Sequence, residues 1–203
     1  MNLNLWPGIA RELKTYAKSA VRLRSLNRAD TKFLVFGPGR SGSTLLVRLL
    51  DAHPEIQCED EILHHRVIFP LNYVRSRERL SSRRGYGFKL LTYQLHTVQR
   101  IRDPKSFVGR LQDEGYRILY LRRRNTLRHA LSNLYARHRS AFHQRAGASD
   151  PTPDRMRVDP TELFRWMSGR EADRAFEVEL LNDIPHLALV YEDHLRDASM
   201  HQA

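Results

Sequence analysis

Apolar positions along the chain fall into short solid runs and longer periodic stretches, and the two alternate. Phe33-Leu-Val-Phe36 is a solid run with the length and bulk of a buried strand. It breaks into Gly37-Pro-Gly-Arg-Ser-Gly42, and from Ser43 apolar residues recur at Leu45, Leu46, Leu49 and Leu50, a helical spacing. Gly85 to Leu91 reads as a second strand, followed by a helix near 92–100. Pro104 opens a helix that runs to about Glu114 and is capped by Gly115. Tyr116 to Leu121 is a third strand, and a helix follows from Thr126 to about Phe142, with Leu127, Ala130, Leu131, Leu134 and Tyr135 on one face. Thr161 to Asn182 gives a further helix, with Leu163, Phe164, Met167, Ala175, Phe176 and Leu180 as its apolar positions, and His186 to Tyr191 a fourth strand.

The stretches between carry weaker patterns. Residues 1–31 place Leu5, Trp6, Ile9, Leu13, Ala17 and Val21 among Arg11, Lys14, Lys18, Arg22 and Arg24, a basic amphipathic helix from about Gly8 to Leu26. Such a helix packs on the domain or lies on anionic lipid with Trp6 as an anchor. Pro54 stops the helix that follows the glycine loop, and the acidic trio Glu59, Asp60, Glu61 comes next. Residues 64–85 hold six arginines and few periodic apolar positions, so a mobile, basic surface segment is expected there. Residues 144–160, rich in Pro, Asp and Ala, read as an irregular exposed loop. Strands alternating with helices predict an α/β domain over 32–203 with a mostly parallel sheet, whose ligands bind at the carboxyl ends of the strands.

Charge sharpens this picture. The formal net charge is +11, and lysine stands only at 14, 18, 32, 89 and 105, so arginine supplies most of the 34 basic residues. Arginine forks suit phosphate and sulfate, so the expected partner is an anionic ligand, a nucleic acid or an anionic surface. The single cysteine, Cys58, excludes an internal disulfide and fits a cytoplasmic setting. No apolar run approaches the about 20 residues of a membrane span, no secretory leader is read at the N-terminus, and no Cys/His spacing suggests a metal site.

A strand, a glycine loop and a helix start bring backbone N–H groups to bear on an anion. Against the phosphate-loop spacing G-x-x-x-x-G-K-[ST], Gly37, Gly42 and Thr44 match, but the lysine position is Ser43. The strong cation inside the loop is instead Arg40. The loop is therefore suited to phosphate while lacking part of the equipment for a nucleoside triphosphate. A plain glycine turn is the alternative.

Three features together, the loop, a strand ending in Arg122-Arg-Arg124 with Ser132 on the next helix, and the acidic trio, resemble the sulfotransferases that use 3′-phosphoadenosine 5′-phosphosulfate (PAPS), in particular the bacterial nodulation-factor and glycolipid enzymes. The stretch Gly37-Pro-Gly-Arg40-Ser41-Gly42-Ser43-Thr44-Leu-Leu is similar to that family's 5′-phosphosulfate loop, and Arg124 with Ser132, eight residues on, to its 3′-phosphate motif. Thr126 stands where the family often has proline. His53-Pro-Glu-Ile through Glu61, Gly87-Phe-Lys89 and Tyr191-Glu192-Asp193 resemble further family segments, so the likeness runs from about 33 to 195. It implies a P-loop-like, three-layer α/β/α fold, PAPS as sulfate donor and no metal.

On that likeness, Arg40, Ser41, Gly42, Ser43 and Thr44 bind the 5′ side of the donor, and Arg124 and Ser132 the 3′-phosphate. Glu61 is the base for the acceptor hydroxyl, with Glu59 and Asp60 in reserve, and Lys89 sits near the transferring sulfate. The structural alternatives are a surface ion pair for Glu61 and a snorkelling strand lysine for Lys89. The acceptor class implied is a carbohydrate, glycolipid or other alcohol, with peripheral membrane contact through the N-terminal helix. Family members usually continue past the Tyr-Glu-Asp segment, so a domain shortened at Ala203, or one completed in a homo-oligomer, is expected. A variant phosphate-loop kinase would need a replacement lysine. A nucleic-acid module would need aromatics interleaved with basic residues on one surface, whereas here they occupy core positions, so no nucleic acid is expected.

Overall fold

The computed structural model describes residues 6–22, 29–138 and 156–196. Five strands, β1 (Thr31–Gly37), β2 (Ile56–Glu59), β3 (Gly85–Leu91), β4 (Tyr116–Arg122) and β5 (His186–Val190), form one sheet in the order β2-β3-β1-β4-β5. Every pairing is parallel. From β1 the chain goes out to β2, returns to β3 beside β1, then crosses to β4 on its other side. That reversal opens a crevice at the carboxyl ends of β1 and β4, where α/β sheets bind ligands.

Alternation along the strands sorts the core into two faces. Leu34 and Phe36 of β1 and Phe88 and Leu90 of β3 join Tyr73 and Val74 of α3 (Pro70–Leu80), Phe107, Val108 and Leu111 of α4 (Pro104–Asp113), and Leu180 and Leu181 of α6 (Pro160–Leu181). Phe33 and Val35 face the other way, onto Leu46 and Val47 of α2 (Ser43–Asp51). Helices thus cover both faces, consistent with a three-layer α/β/α arrangement. Each large side chain taken fully out of water contributes about 1.5–3 kcal/mol, so these two clusters dominate the stability. Two further helices complete the described chain, α5 (Thr126–His138) after β4 and the short α7 (Tyr191–His194) after β5.

The N-terminal helix, α1 (Trp6–Arg22), is attached differently. Among its described side chains Glu12, Thr15 and Ser19 are buried, while Leu13 is exposed. Glu12 carries the attachment, accepting N–H bonds from Ile68 (2.8 Å) and Phe69 (3.0 Å) at the start of α3. The helix packs on the domain through a polar seam and turns its Leu13 stripe outward.

Several expectations change. The basic segment at 64–85 is not irregular: it contains helix α3, where buried Ser76 and Glu78 fill positions that a periodic pattern assigns to apolar residues. Four of its six arginines are paired, Arg75 to Glu114, Arg77 to Glu59, Arg83 to Asp51 and Arg84 to Asp30. Between Asp51 and Leu63 lies a fifth strand, β2, too short and too polar to stand out. The helix expected near 92–100 is present but short and irregular: residues 92–93 are α-helical and lead straight into a single π-helical turn, Gln94–Val98. The expected extension of α5 to Phe142 and most of the 144–160 loop fall outside the described residues.

Candidate anion-binding site

Three contacts fix the glycine loop, one from within it and two from outside. His129 of α5 places its Nε2 2.7 Å from the Gly39 carbonyl oxygen. Ser41, fully buried, turns its hydroxyl back to donate to the Pro38 carbonyl at 2.8 Å. The Tyr191 ring lies so close to Gly42 that an added Cβ would sit 2.4 Å from it, and Gly42 has φ +95, so only glycine fits. Arg40 is itself left-handed, with φ +61, a conformation that costs a non-glycine residue about 1–2 kcal/mol.

Gly42 is the N-cap of α2 and supplies no side-chain cap. The first N–H groups of a helix have no intrahelical acceptor, and together with the helix dipole they attract an anion. Around this end gather the cations. Arg40 Nη2 donates to Ser132 Oγ at 3.5 Å, across from α5. Burial, and then the neighbouring Arg123, push the Arg40 guanidinium below its ordinary pKa. Two cations are thus held against each other in a partly buried place. Arg123 stacks on the Tyr191 ring, 4.3 Å from its centroid, and its buried Nε has no hydrogen-bond partner among the described residues.

A second group meets the first on the β3 side. Lys89, paired in register with Val35 of β1, is almost wholly buried. Its Nζ lies 3.2 Å from Thr44 Oγ1, 3.1 Å from Glu61 Oε1 and 2.5 Å from Asp60 Oδ1. The other Glu61 oxygen accepts from Gln94 Nε2 at 2.7 Å and from the Tyr93 hydroxyl at 3.3 Å. The π-helical turn produces this contact, since Gln94 Oε1 also accepts the Leu91 N–H at the end of β3. π turns are frequent at functional sites in general.

Arg40, Gly42, Ser43, Thr44, Glu61, Lys89 and Ser132 all line one cavity of about 1050 Å³. Ser41 is buried behind it. Arg124 does not line it: its guanidinium is largely exposed and pairs with Asp193, while its N–H donates to Glu192 at 2.9 Å. Burial opposes ionisation of Glu192, but the N–H groups of Arg124 and Asn125 outweigh it and hold the carboxyl below its usual range. Arg123, the neighbour of Arg124, is the arginine of this strand end that reaches the cavity.

The far wall comes from α6, which supplies Arg165, Trp166 and Arg170. Sequence reasoning passed over these residues, because it followed the helix through its apolar positions and left Trp166 out. Phe164, one of those apolar positions, is two-thirds exposed. A signal was available in Arg165 and Arg170, which put cations beside Trp166 in the sequence and one turn further on. Seven lining side chains are cationic and three are carboxylates, so the cavity favours an anion. Among the described residues no cluster of His, Cys, Asp or Glu is arranged to hold a metal ion, and no helix is long and apolar enough to cross a membrane.

The sequence matches no protein-family model and no curated protein.

Proposed function

We propose that this protein is a PAPS-dependent sulfotransferase with a P-loop-like fold, acting in the cytoplasm on a hydroxyl of a carbohydrate, glycolipid or other alcohol. The observation that carries the reading is the convergence of Arg40, Arg123 and Ser132 on the uncapped start of α2. The residues fit a ligand with two separated phosphates: a helix N-terminus for one, and for the other a guanidinium whose buried Nε lacks an acceptor.

When bound, PAPS supplies the sulfuryl group: the acceptor oxygen bonds to sulfur as the bond from sulfur to the 5′-phosphate oxygen breaks, leaving adenosine 3′,5′-bisphosphate. The N–H groups at residues 41–44 and the Arg40 guanidinium bind the 5′-phosphate and take up the charge that grows on it. Arg123 and Ser132 hold the 3′-phosphate, with Arg124 one step behind on Asp193. Lys89, shared among Thr44, Asp60 and Glu61, exchanges one of these contacts for a sulfuryl oxygen. Glu61, held by Gln94 and Tyr93, takes the acceptor proton on a carboxylate oxygen.

One observation favours a second reading. Lys89 approaches the loop from β3 and contacts Thr44, so it stands near the position of the lysine missing at Ser43. With Asp60 and Glu61 beside it, a phosphoryl transfer using magnesium ATP is the competing chemistry. Thermal unfolding separates the two. Adenosine 3′,5′-bisphosphate at about a hundred times its Kd raises the Tm by about 5–10 °C, and Arg40→Ala or Arg123→Ala removes the effect. Equal or better protection by ATP with Mg²⁺ overturns the sulfotransferase reading in favour of the kinase. Transfer of labelled sulfate from PAPS to sugar, lipid and small-alcohol acceptors completes the test.

A further inference from the structure

A groove of about 1120 Å³ lies on the other side of Glu61 from the loop. Glu61 and Tyr93 line both cavities, so the two spaces meet at the carboxylate read above as the base. One wall of the groove is α1, which contributes Arg11, Lys14 and Lys18. Spacings of three and four residues put these cations on one helix face. The bonds from Glu12 to the Ile68 and Phe69 N–H groups fix which face that is.

The charges in the groove do not cancel one another. Glu59 is taken by Arg77 at 2.6 Å, and Asp60 and Glu61 by Lys89. Arg11, Lys14 and Lys18 have no acidic partner among the described residues. Three cations therefore face a space whose carboxylates keep one net negative charge, since Arg77 balances Glu59 and the single Lys89 is shared by Asp60 and Glu61, next to the place where a hydroxyl would lose its proton.

We propose that this groove is the acceptor subsite, and that α1 selects an acceptor bearing a carboxylate, phosphate or sulfate near the hydroxyl it offers to Glu61. The inference rests on the sulfotransferase reading and deepens it, turning an open acceptor class into an anionic one. A free anionic sugar and the headgroup of an anionic lipid share this chemistry.

The test uses the full chain saturated with adenosine 3′,5′-bisphosphate and measures binding, so no turnover is required. In equilibrium dialysis, 4-nitrophenyl β-D-glucuronide binds about tenfold more tightly than the neutral glucoside, and the difference shrinks as salt rises. The preference disappears in Lys14→Glu/Lys18→Glu and survives in Lys14→Arg/Lys18→Arg, with bisphosphate protection retained in both as evidence of folding. Equal binding of glucuronide and glucoside by the unaltered protein overturns the inference, even where bisphosphate protection upholds the donor site. Charge-selective binding without such protection keeps the groove and sinks the donor reading. Sedimentation with phosphatidylglycerol but not phosphatidylcholine vesicles, lost in Lys14→Glu/Lys18→Glu, assigns the anion to a lipid headgroup. No sedimentation with either assigns it to a free acceptor.

Discussion

His129 shows how closely the loop depends on single side chains. It bonds the Gly39 carbonyl and packs its ring edge-on against Trp166, with the centroids 5.1 Å apart. Burial, then the nearby Arg170 and Arg123, push its pKa down to about 4, although the Gly39 carbonyl works the other way. The folded protein thus keeps this imidazole neutral, while the unfolded chain protonates it near pH 6.5. Between these values the unfolded state binds more protons, so stability falls as the pH drops from 6.5 towards 4, by up to about 3 kcal/mol. Glu192, whose carboxyl is held low, adds to the loss in the same direction at the acid end. Urea unfolding across pH 4–7 is expected to show a shallower slope in His129→Gln than in the parent. An unchanged slope would remove His129 from the account. A bound bisphosphate, by neutralising Arg123, raises the His129 pKa, and NMR titration of its ring with and without the nucleotide reads this directly.

Among the elements, α1 departs furthest from its pattern. The periodicity aims Leu13 and Ala17 inward, yet both are exposed and Glu12, Thr15 and Ser19 are buried. The reason lies at the start of α3, whose N–H groups at 68 and 69 need an acceptor that its own N-cap, Phe69, does not supply. A carboxylate meets that need better than a leucine does. Glu12→Ala leaves two N–H groups unpaired under α1 and is expected to cost about 1–3 kcal/mol in docking. Hydrogen exchange would then quicken over α1 and at 68–69 while the sheet amides stay protected; uniform protection would mean that other contacts hold the helix. The same physics explains which elements were legible beforehand. β1, β3 and β4 announce themselves because their burial is apolar, as do α2, α4 and α5. β2 and α3 do not, because they are held by Arg77–Glu59, by the bond from the Tyr116 hydroxyl to Glu78 and by other polar contacts that leave no periodic trace.

Across the whole molecule, the candidate site gathers residues from both ends of the described chain, and its legibility divides along that line. Arg40, Gly42, Ser43, Thr44, Glu61, Lys89 and Ser132 were singled out from spacing and resemblance, and they line one cavity. Which of Arg123 and Arg124 lines the cavity was not legible, because it depends on how the strand end turns and on where Asp193 lies. Nor was the wall made by α6, which is fixed by a buried network rather than by an apolar stripe. Glu177, with no exposed surface, accepts from the Thr92 and Tyr120 hydroxyls and from Arg170 at 2.6 Å, tying α6 to the ends of β3 and β4. Arg170 also lines the cavity, so one ion pair both anchors the wall and charges it. Removing the cation alone leaves a buried carboxylate without its counter-charge, so Arg170→Met should cost about 3–5 kcal/mol, a large part of an ordinary domain's stability. Arg170→Met/Glu177→Gln removes the stranded charge and keeps an acceptor for Tyr120, so it should regain most of that loss in urea unfolding. Both variants should bind adenosine 3′,5′-bisphosphate more weakly than the parent, since each lacks the Arg170 cation. A double variant as unstable as the single one would show that packing, rather than the buried charge, holds α6 against the sheet.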